Sequence, residues 1–125
     1  HCNGARTATA AAEGGSDSIE HGAYLDEDAL AAMRENNVVW VPTLSTIGNL
    51  LGKGRFDDNA VAAILDSALQ NVSAYHAMGG LVAPGSDAGA WAVPHSCDTE
   101  SGWLLKAGVD IAAQQLGAAA IMERF

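Results

Sequence analysis

The stretch that decides the fold is Val38-Val39-Trp40-Val41, a continuous run of β-branched and aromatic residues. A strand with one face in water alternates apolar and polar side chains, whereas this run contains no polar position. An uninterrupted apolar run is typical of a strand that is buried on both faces, as in a parallel sheet. We therefore predict a parallel β-strand that extends from Val38 to Thr43.

Helical patterns flank this strand on both sides. Acidic residues at 26–28 favour a helix start, and this helix should end at Asn36-Asn37. Apolar residues at helical spacing predict a longer helix over 57–78. Further strands are predicted over 17–20 and 81–86, further helices over 5–13, 99–106 and 110–123, and a loop over 45–55. This alternation predicts an α/β fold of right-handed βα units on a parallel sheet.

Two architectures fit this pattern: an open doubly wound sheet and part of a (β/α)8 barrel. A complete barrel needs about 250 residues, so a chain of 125 residues supplies about four of the eight units. We find no internal boundary and treat 1–125 as part of one domain. In both architectures, functional residues belong at the carboxyl ends of the strands.

The composition argues against two classes of partner. Asp and Glu total 15 against 6 Lys and Arg, which gives a net charge of -9. Such a chain has no basic cluster for nucleic acid or for an anionic membrane surface. No apolar stretch reaches the length of a membrane span. Cys2 and Cys97 lack the spacing of a disulfide framework, so we predict free thiols and a cytoplasmic location.

Polar side chains stand at the predicted strand ends. His21 and Asp87 each end a strand beside a glycine-containing turn, and His1 precedes a helix in a similar way. Two imidazoles and a carboxylate suit a divalent metal, most simply zinc, that activates water. The alternative roles are a hydrogen-bonded structural histidine and an aspartate that forms a turn or caps a helix.

Four motifs in order carry a resemblance to a known family: HCNG at 1–4, SIEHGAYLDEDAL at 18–30, VVWVPTLS at 38–45 and APGSDAGAWAVPH at 83–95. Together they resemble the second half of the amidohydrolase superfamily, especially its imidazolonepropionase-like and Xaa-Pro dipeptidase-like members. The resemblance implies a metal-dependent hydrolase built on a (β/α)8 barrel. This chain would supply about strands 5 to 8, the C-terminal portion of the catalytic domain.

The resemblance also implies roles for individual residues. His1 would be the metal ligand after the fifth strand and His21 its counterpart after the sixth. Asp87, after the eighth strand, would bind the metal and take a proton from the attacking water. The complete protein would hold one or two divalent ions, most simply zinc. Tyr24 and His95 lie on loops at the same end of the barrel and are candidates for substrate binding.

Two elements of the family pattern are absent from this sequence: the His-x-His pair after the first strand and the lysine after the fourth. Lys53 and Lys106 do not occupy that place. We therefore expect the parent protein to hydrolyse a C-N bond in an amide, cyclic amide or dipeptide, and this piece alone to be inactive. The alternative is a non-catalytic half-barrel for binding or assembly. Its unpaired sheet edges would pair with another chain, in a homo-oligomer or with a complementing N-terminal half.

Overall fold

The computed structural model describes residues 1–89, 93 and 96–125. These residues form four strands and six helices in an alternating order. The elements are β1 (Cys2–Gly4), α1 (Ala5–Glu13), β2 (Ser18–Tyr24), α2 (Glu27–Glu35), β3 (Val39–Val41), α3 (Ser45–Gly48), α4 (Asp58–Ala77), β4 (Leu81–Val82), α5 (Asp98–Lys106) and α6 (Ile111–Arg124). The predicted α/β class is confirmed.

The four strands form one sheet in the order β1-β2-β3-β4, and every neighbouring pair is parallel. Ser18 of β2 lies opposite Val39 of β3, and Val39 lies opposite Leu81 of β4. Since consecutive strands are neighbours and run in the same direction, all their carboxyl ends lie at one edge of the sheet.

The core lies between this sheet and the helices, with Trp40 at its centre. Trp40 is fully buried, as predicted for a strand residue, and its ring meets that of Tyr75 edge to face at a centroid distance of 5.7 Å. The Tyr75 hydroxyl donates a hydrogen bond to the Val38 carbonyl at 2.7 Å. Burial raises the pKa of Tyr75 to about 12, so the phenol stays protonated as this bond requires.

All four strands differ from the prediction, and β3 at Val39–Val41 is shorter than the predicted 38–43. β1 was not predicted, and β2 extends beyond 17–20 to Tyr24 because its last residues pair with β1 instead of β3. His21, which was predicted to end this strand, therefore lies inside β2, directly after the last residue that pairs with β3. β4 is shorter than 81–86. Ala83 still donates its N–H to the Trp40 carbonyl, but Pro84 has no N–H with which to continue the ladder.

The predicted loop over 45–55 is wrong at its start, where α3 forms a short helix. The side chain of Glu100 in α5 accepts hydrogen bonds from the backbone N–H groups of Leu44 and Ser45 and so satisfies the first turn. A contact across more than fifty residues leaves no local signal. The other five helices are confirmed, each within two residues of its predicted ends.

Two smaller predictions can also be compared with the fold. Cys2 and Cys97 are both free, as predicted. No helix in the described part of the chain combines the length and the apolar character that a membrane crossing needs.

Candidate functional site

Three polar side chains meet at the carboxyl edge of the sheet. His21 in β2, Thr43 after β3 and Asp87 after β4 line the same cavity, whose volume is about 660 Å³. Successive parallel strands thus each contribute one polar residue to one opening. The sequence predicted two of these residues, and Thr43 is an addition from the structure.

The backbone is left-handed at each of these three positions. The φ angles are 74° at His21, 50° at Thr43 and 51° at Asp87. Among the described residues, the other non-glycine residue with such a φ is Asn37, in the turn after α2, where asparagine readily adopts it. A left-handed β-branched residue is a genuine outlier, and such strain costs about 1–3 kcal/mol. His and Asp adopt this backbone more readily than threonine does, so the strain is concentrated at Thr43.

Two contacts hold His21, one at its ring and one at its backbone carbonyl. Its Nδ1 atom lies 2.8 Å from the hydroxyl oxygen of Thr43, which is only 3% exposed. The His21 carbonyl accepts a hydrogen bond from the indole N–H of Trp40 at 2.8 Å. With Nδ1 engaged by Thr43, Nε2 is the ring nitrogen that remains for other partners.

The position after His21 requires a glycine, Gly22, because of its backbone angle and the nearby Trp40 ring. Its φ is 82°, and a Cβ atom there would lie 2.9 Å from the indole nitrogen of Trp40. A side chain at this position would therefore disturb both the left-handed turn and the ring that holds the His21 carbonyl.

The Nε2 atom of His21 faces His1. The distance from this atom to Nδ1 of His1 is 3.0 Å, and the two rings are 5.1 Å apart between centroids. Two ligand nitrogens on a tetrahedral zinc, each about 2.1 Å from the metal, lie about 3.4 Å apart. The spacing of these two nitrogens is therefore close to that of a pair of metal ligands.

The carboxylate of Asp87 is exposed and faces the cavity that His21 also lines. Within the part of the chain that the structure describes, no three His, Cys, Asp or Glu side chains come close enough together to hold a metal ion. The histidine pair thus fits two ligand positions of a divalent metal. A full coordination sphere needs Asp87 to approach or ligands from other residues.

Of the two predicted substrate-binding residues, Tyr24 is among the residues that the structure describes. Tyr24 was predicted on a loop but is the last residue of β2, where it lines the cavity and is 59% exposed. His95 lies outside the described residues. Tyr24 is therefore available to a molecule in the cavity.

The far wall of the cavity was missed by the sequence analysis. It consists of the apolar side chains Ile47, Leu50, Phe56, Ala60, Val61 and Ile64. The helical spacing of Val61 and Ile64 was visible in the sequence, but Ile47 belongs to α3, which was predicted as loop. Thr43 was detectable in principle, since it follows a predicted buried strand at its carboxyl end.

Glu100 of α5 binds the backbone that follows Thr43 at the edge of the cavity. It is fully buried, and its carboxylate accepts three hydrogen bonds, from the N–H groups of Leu44 and Ser45 and from the Ser45 hydroxyl, at 2.7 to 2.9 Å. Burial raises the pKa of Glu100, and these hydrogen bonds oppose the rise. Glu100 thereby fixes the backbone that directly follows Thr43.

Comparisons with known proteins give one structural likeness. No protein-family model matches this chain, and no curated protein matches it. Among solved structures, it is similar to a Xaa-Pro dipeptidase crystallised with methionine bound in the active site, with 26% sequence identity and a TM-score of 0.74. The match covers 92% of this chain and 30% of that chain. Over most of its length, this chain therefore has a dipeptidase-like fold.

Proposed function

We propose that this chain is part of a hydrolase that cleaves a C-N bond in a dipeptide or related amide. It would form about strands 5 to 8 of a (β/α)8 catalytic domain, in the manner of the amidohydrolase superfamily. The observation that carries the proposal is the convergence of His21, Thr43 and Asp87 in one cavity at the carboxyl ends of three consecutive parallel strands. Enzymes of this architecture conduct their chemistry at that edge. The likeness to a Xaa-Pro dipeptidase supports the reaction class.

A divalent metal, with zinc favoured by the ligand types, belongs to this proposal. His1 and His21 would hold it through the ring nitrogens that now face each other at 3.0 Å. Asp87 and residues elsewhere in the protein would complete the ligand set, for one or two ions. When bound, the metal would polarise the carbonyl and make water a better nucleophile.

The residues of this chain would then divide the remaining work. Asp87 takes a proton from the attacking water and passes it to the leaving nitrogen. Thr43 keeps the His21 ring in one orientation through the contact of 2.8 Å. Tyr24, and His95 by its position in the sequence, would contact the substrate.

The test is hydrolysis of a dipeptide panel, including Xaa-Pro substrates, by the protein expressed from its full open reading frame. We expect Asp87→Asn to lower kcat by about 10²- to 10⁴-fold, the usual contribution of a general acid-base group. Asparagine tolerates the left-handed backbone at this position, so the fold should persist by circular dichroism.

A matched control is Asp66→Asn, which changes an exposed aspartate of α4 outside the cavity. This variant should retain the wild-type rate. Chelation of divalent metal should abolish hydrolysis, and added zinc should restore it. Near-normal turnover by Asp87→Asn would remove this residue from the mechanism.

A second candidate is a non-catalytic module that assembles with another chain. The observation in its favour is that β1 and β4 end the four-stranded sheet, and within the described residues each pairs with one neighbour. An unpaired edge can bind another strand. Light scattering tests this candidate: a monomer at all concentrations would contradict it.

A further inference from the structure

The cavity at the sheet edge has two chemically different sides. Polar residues line the side formed by the strand ends, and the six apolar residues at 47, 50, 56, 60, 61 and 64 form the opposite side, which we call the apolar wall. Ile64 is a neighbour of both Ala60 and Val61 on the surface of α4, because residues three and four positions apart are neighbours on a helix. A volume of about 660 Å³ lies in the range of small-molecule sites, about 300–1,000 Å³.

The charges around the cavity restrict what it can accept. The ionisable residues among its described lining are His21, Tyr24, Asp57 and Asp87, and this lining contains no lysine or arginine. An acidic side chain placed against the apolar wall would therefore meet no lysine or arginine in the described lining.

A basic side chain is also poorly served by this wall. Asp57 is the carboxylate nearest to the wall in sequence, and it caps α4 by accepting the N–H of Ala60 at 2.8 Å. Against the wall an ammonium group would lose water, and the carboxylate beside it in the described lining, that of Asp57, already accepts one N–H. An aliphatic or aromatic side chain instead buries apolar surface at about 25 cal/mol per Å².

We infer that the apolar wall is a subsite for an apolar substrate side chain of about the size of leucine, methionine or phenylalanine. The polar main chain of the same substrate would lie toward His21 and Asp87. This inference rests on the proposed function, since it names the class of dipeptide that the site selects. Phe56 is 53% exposed at the mouth of the cavity and would cover the bound side chain.

Two measurements on the full-length protein test the inference. The first is kcat/KM for two series of dipeptides, in which one position in turn carries alanine, norleucine, lysine or glutamate. The second is binding of free L-norleucine, L-lysine and L-glutamate by calorimetry, which needs no turnover. We expect at least a tenfold preference for norleucine in one series, as one to several methylenes in an apolar pocket are worth about 10- to 200-fold.

The matched variants are Ile64→Asp and Ala63→Asp. Both add one negative charge to α4, but Ile64 lines the cavity whereas Ala63 is exposed outside it. Ile64→Asp should weaken norleucine binding at least tenfold, and Ala63→Asp should leave it unchanged. Ala60→Trp adds a ring at an exposed position that lines the cavity, and should shift the preference from norleucine to alanine even if Ile64→Asp fails to fold.

The outcomes separate this inference from the proposed function. Hydrolysis without an apolar preference would overturn the subsite and leave the hydrolase. Norleucine binding that depends on Ile64, without hydrolysis of any dipeptide, would support the subsite and contradict the enzyme. Equal binding of the three amino acids, or no effect of Ile64→Asp and Ala60→Trp on norleucine, would overturn the subsite.

Discussion

Thr43 combines a left-handed backbone with a buried side-chain contact to His21. It adopts a left-handed backbone with φ of 50°, and its buried hydroxyl contacts Nδ1 of His21 at 2.8 Å. A β-branched residue is among the least suited to this backbone, so the surrounding structure must compensate the strain. A glycine would remove the strain but also the hydroxyl. The contact with His21 gives a reason for a threonine at this position.

Thr43→Val isolates the hydroxyl. Valine has the same shape and the same backbone strain but cannot hydrogen-bond to His21. Because partners of ligand histidines typically contribute about 10- to 100-fold, we expect zinc affinity and kcat/KM to fall by that factor. The measurements are zinc titration and dipeptide hydrolysis by the full-length protein.

Thr43→Ser provides the control for this prediction. Serine restores the hydroxyl without the methyl group, so most of the affinity and activity should return. If Thr43→Val keeps the zinc affinity and kcat/KM of the wild type, the hydroxyl does not position His21 and the predicted role is wrong.

The sequence was informative about which residues stand at strand ends and less so about their backbone. His21 and Asp87 could be selected because each follows a predicted strand and precedes a small residue. The sequence around Thr43 does not indicate a left-handed conformation, which steric clashes disfavour for threonine. Its geometry is imposed by long-range packing, including the buried Glu100 below the next two residues.

At the scale of elements, helix starts were the most predictable feature. Asp26, Asp57 and Asp110 precede α2, α4 and α6, and each side chain accepts an N–H from three residues further along. Each cap joins residues three positions apart, so the local sequence is sufficient to predict it. The start of α3 has a cap from a distant helix, and the sequence analysis therefore predicted a loop there.

The buried Glu100 predicts a pH effect on stability. Its pKa is raised in the native state, so above the ordinary glutamate pKa the native state retains a proton that the unfolded chain has lost. The unfolded state then binds fewer protons, and the free energy of unfolding falls as the pH rises through this window. Glu100→Gln stays uncharged. The stability of the wild type relative to this variant should therefore decline in urea unfolding as the pH rises above the ordinary glutamate pKa of about 4.3.

Glu13→Gln is the control for this effect, since Glu13 is exposed on α1. Its pH profile of unfolding should run parallel to that of the wild type. A wild-type stability that rises with pH relative to Glu100→Gln would show that the three hydrogen bonds outweigh burial, opposite to our expectation.

Two helical glycines predict opposite effects of the same substitution. A Cβ atom on Gly117 of α6 would overlap the carbonyl group of Val82 in β4, and backbone atoms cannot yield as side chains do. Gly117→Ala should therefore destabilise the protein by about 1–3 kcal/mol through overpacking. Gly102 of α5 has open space around it, so Gly102→Ala should stabilise by about 0.5–1 kcal/mol through helix propensity. Urea unfolding measures both, and equal effects would contradict direct packing of α6 on β4.

At the scale of the whole molecule, the parallel direction of the strands followed from the sequence, whereas their order was left open between two architectures. A continuous apolar run at 38–41, with helices between successive strands, was sufficient for a parallel sheet. The bounds of the strands were less predictable. β2 changes its partner from β3 to β1 within its own length, and a strand's pattern does not record which neighbour it pairs with.

The open sheet predicts how the isolated chain behaves in solution. Leu81 is 37% exposed on the edge strand β4, and an exposed apolar edge favours association. A net charge of -9 opposes it. Salt shortens the range of this repulsion from about 10 Å at about 0.1 M to about 3 Å at about 1 M, so self-association should increase with salt.

Leu81→Glu tests whether the β4 edge is the surface that associates. The substitution adds a charge to this edge, as natural proteins do to block edge pairing. Ser73→Glu adds the same charge at an exposed position of α4 and controls for net charge. We expect light scattering at high salt to show a lower mean mass for Leu81→Glu than for Ser73→Glu, relative to 12.8 kDa for one chain. If both glutamates act equally, repulsion by net charge controls association and the sheet edge does not.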